Sequence, residues 1–199
     1  MKRLVFLILF SLSISAQHYR VGSGLVMGLP NDYAKASGGF GLFVEYKSES
    51  KISFRSEAGF TITSFKDENV YLADRFYALY WLEGSLVYYP FITEYEPFIS
   101  GGIGYYFFST NDFNTISTAT QTLEPGQFTN KFSYHIKTGF ALPLSGSIKL
   151  IFQAKYLLLK QNLIVLSEEL INDTIRKRTF DSELDLNTIF ITVGAIIKI

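Results

Sequence analysis

Residues 131–160, KFSYHIKTGFALPLSGSIKLIFQAKYLLLK, are two alternating segments joined by a turn that Pro143 and Gly146 mark. In the first arm Phe132, Tyr134, Ile136, Thr138, Phe140 and Leu142 share one parity, and Lys131, Ser133, His135, Lys137, Gly139 and Ala141 share the other. The second arm repeats the rule: Ile148, Leu150, Phe152, Ala154, Tyr156 and Leu158 oppose Lys149, Ile151, Gln153, Lys155 and Leu157. Side chains alternate faces along a strand, so the stretch is a β-hairpin with one apolar wall and one that is mostly polar or small. Each arm has about ten to twelve residues, longer than the usual ~5 to 6 of a soluble strand and close to what a tilted strand needs to cross a bilayer. The hairpin reads as membrane wall.

The same alternation recurs on both sides of it. A first strand over 19–29 sets Tyr19, Val21, Leu25, Met27 and Leu29 against Arg20, Gly22, Gly24, Val26 and Gly28, and the glycine face leaves room inside. After a polar break at 30–37, Phe40, Leu42, Val44 and Tyr46 alternate with Gly39, Gly41, Phe43, Glu45 and Lys47. Past the short turn 48–51, Ile52, Phe54, Ala58, Phe60 and Ile62 face away from Ser53, Arg55, Glu57, Gly59 and Thr61. A charged loop at 64–75 leads to a fourth strand, about 76–89, whose first half is apolar on both faces and leaves its phase open. A fifth strand is expected at about 98–108, and the hairpin supplies the sixth and seventh. Ile189, Ile191, Val193, Ala195, Ile197 and Ile199 form the apolar face of an eighth.

Residues 1–16 have a basic start at Lys2 and Arg3, an apolar run from Leu4 to Phe10 and a small-residue stretch ending at Ala16. They read as a secretory signal peptide, too short for a spanning helix, which leaves one domain at 17–199. Removing that leader takes two of the 18 basic residues and none of the 18 acidic ones. The balance is slightly acidic, with no basic patch for nucleic acid. Cysteine is absent, which excludes a disulfide scaffold, a thiolate metal site and a lipid-modified cysteine. Later apolar residues are spaced in twos, so no later segment has the continuous run of a spanning helix.

The expected connections alternate in length, with the short ones after strands two, four and six and very long ones at 109–130 and 161–186. Transmembrane barrels have short periplasmic turns and long external loops, a pattern that needs an even strand number and both termini in the periplasm. Pairing the first strand with the last removes every sheet edge, as lipid demands. The expected fold is therefore all-β, an eight-stranded antiparallel up-and-down transmembrane β-barrel. Alternation alone does not say which face is inside. A secreted lipocalin-like binder of an apolar small molecule is also an eight-stranded barrel, with the apolar face inward. Strand length, glycine and charge on one wall, and the short-long alternation favour the membrane version. Within 161–186, Asn172-Asp173 signals a turn in a soluble hairpin, and a short helix opening at Ser167 to Leu170 is the alternative.

Aromatic clusters near strand ends (Tyr88, Tyr89, Phe91; Tyr105 to Phe108), Gly22-Ser23-Gly24, and the segment Phe98-Ile99-Ser100-Gly101-Gly102-Ile103-Gly104 carry a resemblance. With the leader and the eight alternating strands, the chain resembles the eight-stranded outer-membrane barrel superfamily of OmpA-type, OmpX-type and OmpW-type proteins. It looks most like the broad outer membrane protein β-barrel domain group that includes PorT-like proteins. The resemblance is one of pattern over the whole mature chain. It implies a small integral protein of the cell outer membrane, in contact with outer-membrane lipid and inserted by the barrel-assembly machinery. That machinery reads the last strand, which in the superfamily usually ends in an aromatic residue. Here the end is Ile197-Lys198-Ile199.

An eight-stranded barrel is just wide enough for its side chains to fill it, so opposite charges on the polar wall should meet across the interior. The expected lumen network is Arg55, Glu57, Glu83, His135, Lys137 and Lys155, with Glu45 and Lys149 on the same wall. If strands three and four pair, Glu57 lies near Glu83, and Arg55 and Lys137 are the expected cations. The reading is a salt-bridged plug in a non-enzymatic protein with a structural, adhesive or accessory role at the cell surface. An outer-membrane lipid-modifying enzyme is the alternative. Its only trace is Ser133 two residues before His135, on a face turned to the lumen, with no spacing for a group to orient the base. Two histidines and scattered carboxylates give no metal-ligand spacing, and no cofactor is expected. A surface ligand, if there is one, would meet the large segments 109–130 and 161–186.

Overall fold

The computed structural model describes residues 19–32, 34–47, 51–64, 76–91, 93–110, 116–117, 121–123, 127–128, 130–171 and 174–199. The leader expected at 1–16, most of the charged loop at 64–75 and the Asn172-Asp173 turn lie outside the described residues. In chain order the strands are β1 (Tyr19–Gly28), β2 (Ser37–Lys47), β3 (Ile52–Ser64), β4 (Phe76–Tyr88) and β5 (Glu96–Thr110), then the short β6 (Ile116–Ser117), β7 (Gln121–Leu123) and β8 (Gln127–Phe128). They continue as β9 (Lys131–Ser145), β10 (Ile148–Leu158), β11 (Lys160–Ile171), β12 (Thr174–Asp185) and β13 (Thr188–Lys198). Eight of them close into one antiparallel barrel in the order β1, β2, β3, β4, β5, β9, β10, β13 and back to β1. Closure is made by β13 on β1, from Arg20 opposite Lys198 to Gly28 opposite Phe190.

The polar wall is the inner one. On β4, Val87 is 0% exposed and its neighbour Leu86 is 63% exposed, and the same inversion runs around the barrel. Leu25, Leu42, Ile62, Leu82, Ile103 and Ile136 face out, while Glu45, Arg55, Glu57, Glu83, Lys137 and Lys155 are buried inside. This is the reverse of a lipocalin interior, and it settles the phase of β4: Tyr77, Leu79 and Trp81 point inward. Two aromatics of the strand-end clusters also belong inside, since Tyr89 and Tyr106 have inward parity and are buried. The outward ones pair across strands, as in Tyr19 with Tyr46 at 5.4 Å and Tyr105 with Phe132 at 4.8 Å between ring centres.

The decisive hairpin is longer than expected. β9 runs through Pro143 to Ser145, and the reversal is made at Gly146, whose φ of 49° suits a residue without a Cβ. Ile148 pairs with Ser145 but Lys149 pairs with Pro143, so Leu144 is bulged out. Proline has no N–H for the ladder, and a bulge is where a sheet tolerates it.

Above the long-loop end the chain does not become loop. Leu186 N–H donates to Leu159 O at 2.8 Å, and β11 pairs with β12 from Lys160 opposite Asp185 to Ile171 opposite Thr174. Ser167 to Leu170 are strand residues, so the hairpin forms there and not the short helix. The register sets Glu169 opposite Arg176, Glu168 opposite Lys177 and Lys160 opposite Asp185. Segment 109–130, expected as loop, supplies β6, β7 and β8 to this same sheet, with Leu123 opposite Ser167 and Phe128 opposite Leu163. The described strands of the two large segments thus share one sheet.

Candidate functional site

The centre of the lumen is built around two carboxylates that the β3–β4 register sets directly opposite each other, Glu57 and Glu83. In a low-dielectric interior they repel unless cations are interposed. Lys137 on β9 is that cation, with Nζ 2.8 Å from Glu57 Oε2 and 2.6 Å from Glu83 Oε2. It reaches them over β5 because the intervening inner positions are Gly102 and Gly104. A Cβ at Gly104 would stand 2.7 Å from Glu83 Cγ, and one at Gly102 would collide with the backbone of Gly84. Lys155 approaches Glu83 Oε1 from β10 at 2.8 Å, and Tyr106 donates its hydroxyl to the same oxygen at 2.6 Å. The Lys155 ammonium also lies 4.1 Å from the Trp81 ring centre, a contact that adds cation–π attraction in a desolvated place.

Arg55 was expected beside this pair but serves another carboxylate. It stands opposite Glu45 in the β2–β3 register, and that proximity decides its partner. Its Nε and one terminal nitrogen donate to Glu45 Oε2 at 2.9 and 2.6 Å, and the other terminal nitrogen donates to Gln153 Oε1 at 2.9 Å. Ser53 and Tyr89 donate to Glu45 Oε1 at 2.9 and 2.6 Å. The guanidinium lies over the Phe43 and Phe98 rings, 4.4 and 4.8 Å from their centres. In this central layer Glu45, Glu57 and Glu83 therefore meet Arg55, Lys137 and Lys155, a balance of three buried carboxylates and three buried cations that a dry interior requires.

His135 lies in the same layer. Its Nε2 is 2.8 Å from Ser85 Oγ, and its Nδ1 is 3.8 Å from Glu83 Oε2. Ser133, its sequence neighbour but one, is buried on the same face, yet the hydroxyl that meets His135 comes from β4 across Gly102. The serine, histidine and glutamate suggest a nucleophile and base, but their surroundings do not suit catalysis. Glu83 is occupied by two ammonium groups and a phenol, and Ser85 and His135 are buried where no substrate carbonyl could approach. Among the described residues no group of three or more His, Cys, Asp or Glu side chains is arranged to hold a metal ion.

Apolar clusters cap this layer on both sides. Toward the long-loop end lie Tyr77, Leu79, Trp81, Leu157, Leu159 and Phe190; toward the short-turn end lie Phe43, Val87, Phe98, Ala141, Ile151 and Ile196. At the short-turn mouth itself a further charged group appears. Glu96 accepts a bidentate pair from Arg20 at 2.6 and 2.9 Å and a bond from Lys47 at 2.8 Å, and Lys149 Nζ lies 3.3 Å from the same Oε1. In the sequence Arg20 and Lys47 share the parity of the inward faces of their strands and Lys149 lies on the charged wall, so Glu96 is the member of the group that sequence reading missed. Glu96 lies between two prolines-marked turn positions and reads as turn, whereas the structure makes it the first residue of β5, facing inward. The signal available was parity, since Glu96 is in phase with Ser100, Gly102 and Gly104.

No protein-family model and no curated protein matches the sequence. Solved structures do. The chain is similar to the outer membrane protein OprG from Pseudomonas aeruginosa, with a TM-score of 0.69 and 12% identity over 91% of this chain and 95% of that one. It is similar to the outer membrane protein AlkL, solved in lipid bilayers, with a TM-score of 0.58 and 13% identity over 90% and 88%. Neisserial surface protein A aligns with a TM-score of 0.52 and 14% identity over 92% and 97%. At these identities the likeness is one of fold, and the fold is that of eight-stranded outer-membrane barrels.

Proposed function

We propose that the chain is a small integral outer-membrane protein, non-enzymatic, with a structural, adhesive or accessory role at the cell surface. The observation that carries this reading is the inversion of the walls: a closed barrel with apolar side chains outside and balanced charges buried inside. Water would penalise such an exterior, whereas lipid favours it, and closure leaves no unpaired strand edge in the barrel wall. The short turns then face the periplasm and the β11–β12 sheet faces outward from the cell. Lipid is the partner of the outer wall, the barrel-assembly machinery the partner of β13 during insertion, and any surface ligand meets the sheet built from 109–130 and 161–186. The filled lumen makes the barrel a plug with no continuous pore.

Membrane fractionation followed by a denaturing gel with and without boiling tests this. The protein is expected in the outer-membrane fraction with a mobility shift on heating, because a closed barrel resists detergent until heated. Recovery as a soluble protein without a shift overturns the reading.

A further inference from the structure

The cations at the short-turn mouth outnumber the carboxylate they surround. Among the described residues Arg20, Lys47 and Lys149 form ion pairs with Glu96 alone, so this described cluster carries two positive charges more than its carboxylate offsets, while the lumen above it is balanced. These side chains are also partly open, at 11%, 19% and 25% exposed, where the central pairs are sealed. Their hydrogen-bonding capacity is not spent. Among the described residues Arg20 commits only the two N–H groups that face the carboxylate, and Lys47 donates only to Glu96. Both lysine ammoniums touch one oxygen, Glu96 Oε1, which holds them within the span of a single tetrahedral oxyanion. Their positions are fixed by the fold: Lys47 packs over the Tyr89 ring at 4.0 Å, and Lys149 follows the bulge of the β9–β10 hairpin.

We propose that this mouth binds a phosphate group, taken from the solution or presented by a lipid headgroup, between Lys47 and Lys149 with Arg20 behind them. Inorganic phosphate or a phosphomonoester carries about 1.5 to 2 negative charges at neutral pH, which matches the surplus, a phosphodiester headgroup offsets half of it, and the oxygens of either accept the charge-assisted bonds that these donors still offer. The wall of apolar side chains behind the cluster lowers the local dielectric and strengthens the attraction. Calling the mouth periplasmic rests on the membrane orientation proposed above; the binding itself does not.

The test is isothermal titration of inorganic phosphate into the full chain refolded in a zwitterionic detergent, with chloride as the reference anion. Saturable binding of phosphate is expected. In Lys47→Gln/Lys149→Gln it should weaken about tenfold or more, the scale of losing two charged donors. Lys149→Arg, which keeps the charge, should retain it, as should Lys131→Gln at the opposite end. The heat-dependent gel shift checks that each variant is folded, which the intact Arg20–Glu96 pair should ensure. Absence of saturable binding to the natural chain, or an affinity that the double substitution leaves unchanged, overturns the proposal. Nanodiscs separate the two sources. Phosphate affinity that falls in phosphatidylcholine nanodiscs relative to a phosphate-free amine-oxide detergent assigns the site to a headgroup, and equal affinity assigns it to a free anion. A soluble, unshifted protein would instead overturn the membrane reading and leave this titration to be judged by its own result.

Discussion

Glu83 and Glu96 are both carboxylates inside one barrel, each held by cations from several strands, yet the two surroundings obey different rules. Around Glu83 every charge is sealed and matched: Lys137 is shared with Glu57, Lys155 approaches from across the lumen, and Tyr106 completes the coordination. Around Glu96 the cations are partly wet and in excess. The difference follows from solvent. A charge deep in the barrel must be compensated on the spot, because desolvation costs several kcal/mol per ion, whereas water at the mouth tolerates a surplus. Matching therefore reads as structure, and mismatch at a solvent boundary as an opening for a ligand.

The contrast can be broken from the inside first. Lys137→Ala leaves Glu57 and Glu83 facing each other with one cation fewer, and the expected loss is about 3 to 5 kcal/mol, the cost of stranding a buried charge. Denaturant unfolding of the refolded barrel in detergent would measure it, together with a lower temperature for the gel shift. The same truncation at the mouth is the sharpening control. Lys149→Ala removes a cation from a group that has two others, and its side chain is partly exposed, so a loss within about 1 kcal/mol is expected. Equal losses at the two positions would show that solvent does not separate them. The smallest expected signal is electrical. With the lumen filled by Trp81, Arg55, Tyr89, Tyr106, Lys137 and Lys155, single-channel recording in a planar bilayer should show no steady open level, and a stable conductance would contradict a plug.

Much of this was legible in the alternation. The parity of 131–160 carries both walls of the hairpin, and the same parity in the other segments marks Glu45, Glu57, Glu83, His135, Lys137 and Lys155 as sharing one face. Parity also marks Glu96, but a run of turn-forming residues from Pro90 to Pro97 hid it, since a local composition signal overrode a periodic one. Partner choice was less legible. Arg55 lies two residues from Glu57 and seemed its natural cation, yet the residue opposite it on β2 is Glu45, and a directly facing side chain is nearer than one two positions along the strand. The segment 109–130 was unreadable as strand because β6, β7 and β8 are two or three residues each, too short to establish a period.

By itself the sequence determined the number of barrel strands, the alternation of their two faces and the order of long and short connections, because a period of two is a local property of the chain. Alternation alone did not determine which face was inside, and nothing local showed that Arg55 serves Glu45 or that 109–130 and 161–186 contribute strands to one sheet. Those are relations between strands far apart in sequence. They were decided by closure and register, which bring Ser85 to His135 across Gly102, Lys137 over β5 to two glutamates, and three basic residues to Glu96 at the mouth.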